Sequence, residues 1–309
     1  MTTTVTAAGA ALVAEVAAHE GPVYSRTEDA LYVTTMPRPA PHQGVASPRN
    51  SILRVQLDGA RLSSEPGAIR SVRADIAAAN GMALSGDGSL LVCEQGSPTE
   101  PAAITRVDPM TGDRTVIVDS WRGLPLNSPN DVVVAADGAI WFTDPTYGHL
   151  QGFRPPSHTG DLVYRHDPAT GVTTPVADDL DKPNGLAFSP DGRTLYVADS
   201  GANHEPATYA PSRPHHVVAY EVLGGRRLGA RRLFAVVVPG FPDGLKVDAA
   251  GRVYVSTGTG VEVFSADGDL LGLLDVPGAV NFAFGGPQGD VVFVTTDTAI
   301  RAVDLGPAQ

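Results

Sequence analysis

Six oxygen-bearing side chains open six copies of one pattern in this chain: Glu20, Asn80, Asn130, Asn184, Asp243 and Asn281. Each precedes a short apolar strand, a turn and a second apolar strand. After five of them a glycine follows eight positions on, at Gly88, Gly138, Gly192, Gly251 and Gly289, while the first copy, EGPVYSRTEDALYV, keeps the shape without it. Units of strand, turn and strand recurring at this length are the signature of a β-propeller, whose blades stack around a common axis. Equivalent residues of different blades then share one height, so the six side chains are expected to converge in the central channel. Two carboxylates and four amides, with no Cys or His among them, make an all-oxygen, doubly negative nest. Such a nest suits a hard divalent cation, Ca2+ first, with Mg2+, Mn2+ and Zn2+ also open to oxygen ligands. A site of that kind points to catalysis.

The elements that must position these residues follow from the same pattern. The expected fold is all-β, a six-bladed β-propeller with four-stranded antiparallel blades around a central metal-binding channel, formed by residues 1–309 as a single domain. Inner strands read GMAL, DVVV, GLAF, GLKV and FAFG, and second strands ALYVTT, SLLVCE, AIWFTD, TLYVAD, RVYVST and VVFVTT, rich in β-branched and aromatic residues. Because the pair is antiparallel, each second strand returns to the face where the anchors begin. Its outgoing connection therefore borders the same mouth. Three such connections are long, residues 36–50, 145–160 and 200–215, and a fourth, 95–102, is shorter; all four are expected to form pocket walls and lid. Residues 9–17 are placed to pair with the last blade and close the ring.

Composition narrows the function. With a formal net charge of −12, the chain is an unpromising partner for nucleic acid. The N-terminal run AAGAALVAEVAA lacks a basic segment and carries Glu15, so it does not read as a signal peptide, and no run of eighteen apolar residues marks a membrane span. A cytoplasmic protein is expected. The single cysteine, Cys93, precludes an internal disulfide and reads as a small core residue. Oligomeric state has no signature in the sequence.

The motifs NSPNDVVVAADGAIWFTDPTYG, KPNGLAFSPDGRTLYVAD, PDGLKVDAAGRVYVST and NFAFGG resemble the family of gluconolactonases, senescence marker protein and luciferin-regenerating enzyme, in order and by blade, from Glu20 to about Asp304. The resemblance implies one catalytic divalent metal, commonly calcium, and hydrolysis of lactones or related esters. By matching motifs, Glu20, Asn184 and Asp243 take the positions of the family's metal ligands. Asn130 takes one that contacts metal, water or substrate. Two departures stand out: Ser128 replaces the Arg of the animal sugar-lactone branch, and CEQG with Gln95 replaces CEHG.

Read alone, an Asn or Asp before Gly at a strand start is ordinary turn chemistry. Glu20 has no such reason to be there. The expected reaction is opening of a small lactone or ester, with the metal polarising the carbonyl, Asp243 as general base and metal activation of the water as the other route. Asn130 joins Asp243 as a catalytic candidate and is also a candidate ligand. Asn80, Asn281, Tyr147, His149, His204 and Glu94 are candidate substrate contacts, and Asp144 and Asp199 are turn caps or mouth residues. Three other classes stay open: a phosphotriester hydrolase, a non-hydrolytic biosynthetic enzyme, and a non-catalytic binding module.

Overall fold

The structure, a computed structural model, describes residues 9–38, 47–205 and 208–306. Apart from one helical turn, Tyr147–Leu150, its regular elements are strands, and six antiparallel sheets form the blades of a six-bladed propeller. Blade one runs from Ala18–Ser25 at the axis through Ala30–Thr35 and Arg49–Asp58 to Ile69–Ala77 at the rim. Blades two to five begin at Ala79–Leu84, Val132–Val134, Pro183–Phe188 and Leu245–Val247 and have four strands each. Blade six is composite. Asn281–Gly285, Val291–Thr296 and Ala299–Asp304 are completed by Ala11–Ala14, with Ala11 opposite Ala302. Both ends of the chain thus share one sheet, which shuts the ring with backbone hydrogen bonds.

The second strand of each blade explains why the sequence runs apolar there without alternation. Leu90–Glu94, Ile140–Asp144, Val253–Thr257 and Val291–Thr296 are buried at every position. Each lies between two neighbouring blades, so both faces are covered. Outer strands such as Arg114–Val118 and Leu270–Leu274 return to mixed burial at the rim.

Six apolar clusters fill the six spaces between consecutive blades. Period-two alternation sorts the side chains between them: Leu31 and Val33 pack against Phe293 of blade six, whereas Tyr32 packs against Leu90 and Val92 of blade two. Cys93 is fully buried between blades two and three with Ile104 and Phe142, and burial pushes its thiol pKa well up. It is a core residue.

The long connections are built rather than loose. Arg154 of the blade-three loop donates to the carbonyls of Ser97 (2.7 Å), Glu100 (3.0 Å), Asn127 (3.0 Å) and Leu126 (3.2 Å), tying segment 145–160 to segment 95–102. In the blade-four loop, Arg213 grips the Asp181 carboxylate with two bonds of 2.9 and 2.7 Å. Residues 39–46 of the blade-one connection, expected to form part of the pocket wall, lie outside the described residues. No helix among the described residues is long and apolar enough to cross a membrane.

Candidate metal centre in the channel

The anchors enter the channel where the strand ladders are irregular. The register slips between Glu20 and Val23, between Ala79 and Met82, and between Pro183 and Leu186, at the anchors of blades one, two and four. Asn130 and Asp243 stand two residues ahead of Val132–Val134 and Leu245–Val247, each already donating its N–H to the second strand, at Thr143 O (2.9 Å) and Ser256 O (3.0 Å). Asn281 differs: it sits in a regular ladder opposite Thr295. Bulges free a side chain from the alternation of the sheet and re-aim it.

Four anchors are followed by Gly, and close approach explains why. A Cβ on Gly21, Gly81 or Gly185 would stand 2.6, 2.5 or 2.4 Å from the carbonyl oxygen of the next blade's anchor, and one on Gly244 would stand 2.3 Å from Asn281 Oδ1. The bare backbone instead lets Gly81 N–H donate to Asn130 O at 2.8 Å and Gly185 N–H donate to Asp243 O at 3.2 Å. These glycines knit the ring of anchors together.

A belt of hydroxyls does the same from the second strands. Thr34 donates to Asn80 O (3.1 Å), Thr143 to Asn184 O (2.9 Å) and Thr295 to His19 O (2.7 Å), while Ser256 and Ser200 donate to Val280 O and Pro242 O, each the residue before an anchor. Sequence reasoning passed over this belt. Its signal is the Ser or Thr recurring near the ends of ALYVTT, AIWFTD, RVYVST and VVFVTT.

Asp144 and Asp199 hold the chain just before two anchors. Asp144 accepts the N–H groups of Asn127 and Ser128, both at 2.9 Å, and Asp199 those of Asp181 (3.1 Å) and Lys182 (2.9 Å). In blade two Asn50 takes over, accepting from Ala79 N at 2.9 Å and donating to Ala79 O at 2.6 Å. Ser128 donates to Pro145 O at 2.6 Å and accepts Gly148 N–H at 2.9 Å, so it fastens the mouth loop.

The electrostatics of the channel are those of buried negative charge. Glu20 is buried, and desolvation with the Asp243 charge raises its pKa to about 8. Asp243 keeps part of its surface open, yet desolvation raises it to about 7 against the effect of neighbouring Asn184. Burial also raises Asp131, a residue not singled out above, although Lys246 Nζ reaches it at 3.6 Å. That pair runs from blade five to blade three. Just before Glu20, His19 Nδ1 lies 2.9 Å from Asp297 Oδ1, a second unanticipated pair.

The remaining candidates separate by what holds them. Asn281 Nδ2 donates to Glu20 Oε2 at 2.8 Å while its Oδ1 accepts Phe282 N–H at 2.8 Å. Asn80 Oδ1 is buried with no hydrogen-bond partner. Tyr147 is buried beside Asn184, Ser200 and Asp243, and its hydroxyl too has no partner in hydrogen-bonding geometry. Glu94 turns outward instead, gripped by Arg114 with two bonds of 2.8 Å and by Thr105. His149 is exposed, with Nδ1 3.4 Å from Arg154 O. Half-buried His204 lies in the small hairpin of the blade-four loop, with Nδ1 unpartnered.

Among the described residues no three His, Cys, Asp or Glu side chains gather as a metal cluster. A cation in this channel would thus draw its other oxygens from outside the carboxylates, and the anchor amides beside Glu20 and Asp243 are of the right chemistry. The orphaned Asn80 oxygen and the raised carboxylates fit that donor set, since a hard cation would offset both costs.

Comparison with known proteins agrees with this architecture. A gluconolactonase of Zymomonas mobilis is 34% identical over 224 residues, 70% of this chain and 60% of its own length. The lactonohydrolase oryL of Aspergillus oryzae is 30% identical over 310 residues, 93% of this chain and 68% of its own. The solved gluconolactonase of Xanthomonas campestris superposes with a TM-score of 0.74 at 31% identity, covering 97% of this chain and 98% of that one. Regucalcin of Agrobacterium tumefaciens, at 19% identity and a TM-score of 0.71, shares the fold. The SMP-30/gluconolactonase/LRE-like sequence profile matches residues 18–298, from the innermost strand of blade one to the last turn of blade six, and the chain belongs to that family.

Proposed function

We propose that this chain is a divalent-cation-dependent hydrolase that opens lactones. The observation that carries the reading is the meeting of two desolvated carboxylates, Glu20 and Asp243, in a ring of anchors that also holds a buried amide oxygen of Asn80 with no hydrogen-bond partner among the described residues. Glu20, Asn184 and Asp243 would hold the cation, Ca2+ before Mg2+, Mn2+ or Zn2+, with Asn130 completing the set. When bound, the cation supplies Lewis acidity to an ester carbonyl and compensates the carboxylate charge. The relatives named gluconolactonase and lactonohydrolase support a lactone as the ester.

The protein's own part is positioning and proton transfer. Asp243 is partly open to the channel, and an oxygen left free takes the proton of the attacking water. Asn130 and Asn80 would orient water or substrate. Asn281 fixes the Glu20 carboxylate through its amide. Ser128 is occupied in fastening the mouth loop and offers no cationic group of its own to substrate oxygens.

A panel of sugar and aliphatic lactones, assayed with and without chelator, tests the reading. Hydrolysis that disappears with chelator and returns with Ca2+ or another divalent ion is the expected result. Stoichiometric cation binding with no turnover of any lactone would overturn it.

A further inference from the structure

Tyr147 is the buried polar group whose placement the proposed mechanism leaves unexplained. Three separate clamps hold its loop. Thr146 N–H and Oγ1 donate to Asp161 Oδ1 at 2.7 and 3.0 Å, Ser128 Oγ accepts Gly148 N–H at 2.9 Å, and Arg154 packs so tightly that a Cβ on Gly148 would stand 2.3 Å from its Cγ. All this rigidity fixes a phenol only 5% exposed whose hydroxyl lies within reach of Ser200 and Asn184 but makes no well-aligned hydrogen bond among the described residues. Buried hydroxyls are nearly always paired, because an unpaired one loses its water bonds for nothing. Tyr164 also has an unpartnered hydroxyl, but it lies in the packing between blades two and three. Tyr147 instead neighbours Asn184, Ser200 and Asp243, the residues of the channel mouth.

We propose that Tyr147 is a catalytic residue whose hydroxyl donates a hydrogen bond to the ring oxygen of the bound lactone. The inference rests on the lactone-hydrolase reading. Water's oxygen bonds to the acyl carbon and its proton passes to Asp243. The acyl–oxygen bond then breaks with its electron pair moving onto the ring oxygen, which takes the proton back from Asp243. Tyr147 keeps its own proton throughout. The carbonyl oxygen carries the charge of the tetrahedral intermediate, and the ring oxygen gathers it as the acyl–oxygen bond breaks, while the proton is still on Asp243; a hydroxyl beside Asp243 is suited to meet that second charge. Such a donor matters most where the departing oxygen is an aliphatic alkoxide, the poorest leaving group among lactones.

The test compares cation-loaded wild type and Tyr147→Phe on δ-valerolactone, which releases an alkoxide, and dihydrocoumarin, which releases a phenoxide. The variant is expected to lose kcat on the order of a hundredfold with δ-valerolactone and less than about fivefold with dihydrocoumarin. Calorimetry should show binding of 5-hydroxyvalerate weakened about fivefold, the worth of one hydrogen bond. Metal content and melting temperature should match wild type, since the deleted hydroxyl makes no well-aligned hydrogen bond among the described residues. Equal losses on both substrates, no loss on either, or a melting temperature lowered by several degrees would each overturn the proposal. A wild type inactive on every lactone would instead remove the reading beneath it.

Discussion

Asn80 and Asn281 occupy the same place in the repeats of blades two and six, and the structure gives them opposite circumstances. Asn80 lies within a slip in its ladder and ends with a buried oxygen that no group among the described residues satisfies. Asn281 sits in a regular ladder and spends both ends of its amide, one on Glu20 and one on Phe282 N–H. A repeat thus fixes the height of a side chain on the axis. The neighbouring blade and the local register decide whether its oxygen is free for a ligand. On the proposed function, the difference separates groups that would act on a cation or substrate from groups that would hold those actors in place.

The largest effect is expected at Asp243, where the comparison is sharpest. Asp243→Asn keeps the shape and one ligating oxygen but removes the charge and the basic oxygen. Turnover at saturating cation should fall roughly a hundredfold or more, the range general-base catalysis supplies. Glu20→Gln, as a pure ligand change, should lose cation affinity and regain much of its activity in excess cation. Steady-state kinetics across a cation titration checks both. Recovery of Asp243→Asn by excess cation would make Asp243 a ligand alone.

Next in size is the pair that opened the comparison. Asn80→Ala removes an unsatisfied oxygen, so the cation-free protein should melt no lower than wild type, while cation affinity falls by about tenfold. Asn281→Ala strips Glu20 of its side-chain donor, a bond worth about 0.5–1.5 kcal/mol, so the cation-free protein itself should be destabilised. Differential scanning fluorimetry with and without Ca2+ reads both quantities. If the two variants behave alike, role follows position in the repeat after all.

Much of this was legible in the sequence, and the rest was not for definite reasons. The six anchors, the apolar second strands and the all-β propeller come from periodicity, which is a property of the chain itself. Glu94, Asp144 and Asp199 end the second strands of blades two, three and four and look equivalent in sequence. The longer Glu94 reaches Arg114 on its own blade's rim, whereas the two aspartates hold backbone N–H groups ahead of Asn130 and Asn184. Which of these a carboxylate does depends on partners many residues away. Arg154, bonded to four carbonyls, and Lys246, reaching Asp131, were invisible for the same cause.

Removing the cation should also set the two carboxylates against the rest of the molecule in their response to pH. Glu20 is raised to about 8 and Asp243 to about 7, so the folded, cation-free protein binds their protons more tightly than the unfolded chain. Its stability from these groups is then complete below the ordinary carboxylate range and is lost as pH rises through those values. In EDTA the melting temperature should therefore fall between about pH 5 and about pH 8, and the gain on adding Ca2+ should grow across that window, because binding displaces the protons. A chelated protein whose melting temperature stays flat there would mean that both carboxylates ionise without penalty.

The smallest effect tests the belt behind the anchors, at two residues thirteen positions past their own: Thr143 in blade three and Cys93 in blade two. Thr143 Oγ1 donates to Asn184 O at 2.9 Å and accepts Asp131 N–H at 3.0 Å, so it joins a candidate ligand of one blade to the channel wall of another. Cys93 fills the matching place as packing between blades two and three. Thr143→Val keeps the volume and leaves the carbonyl and the N–H without that partner, at about 1–3 kcal/mol. Because the lost bond lies on the backbone of Asn184, cation affinity should weaken too, by about two- to fivefold. Cys93→Ala should cost stability through its cavity but leave cation affinity unchanged. Calcium titrations of the two variants decide the matter: equal affinities would mean that the hydroxyl belt only packs the blades, while a loss confined to Thr143→Val would show that the second strands help set the geometry of the anchors.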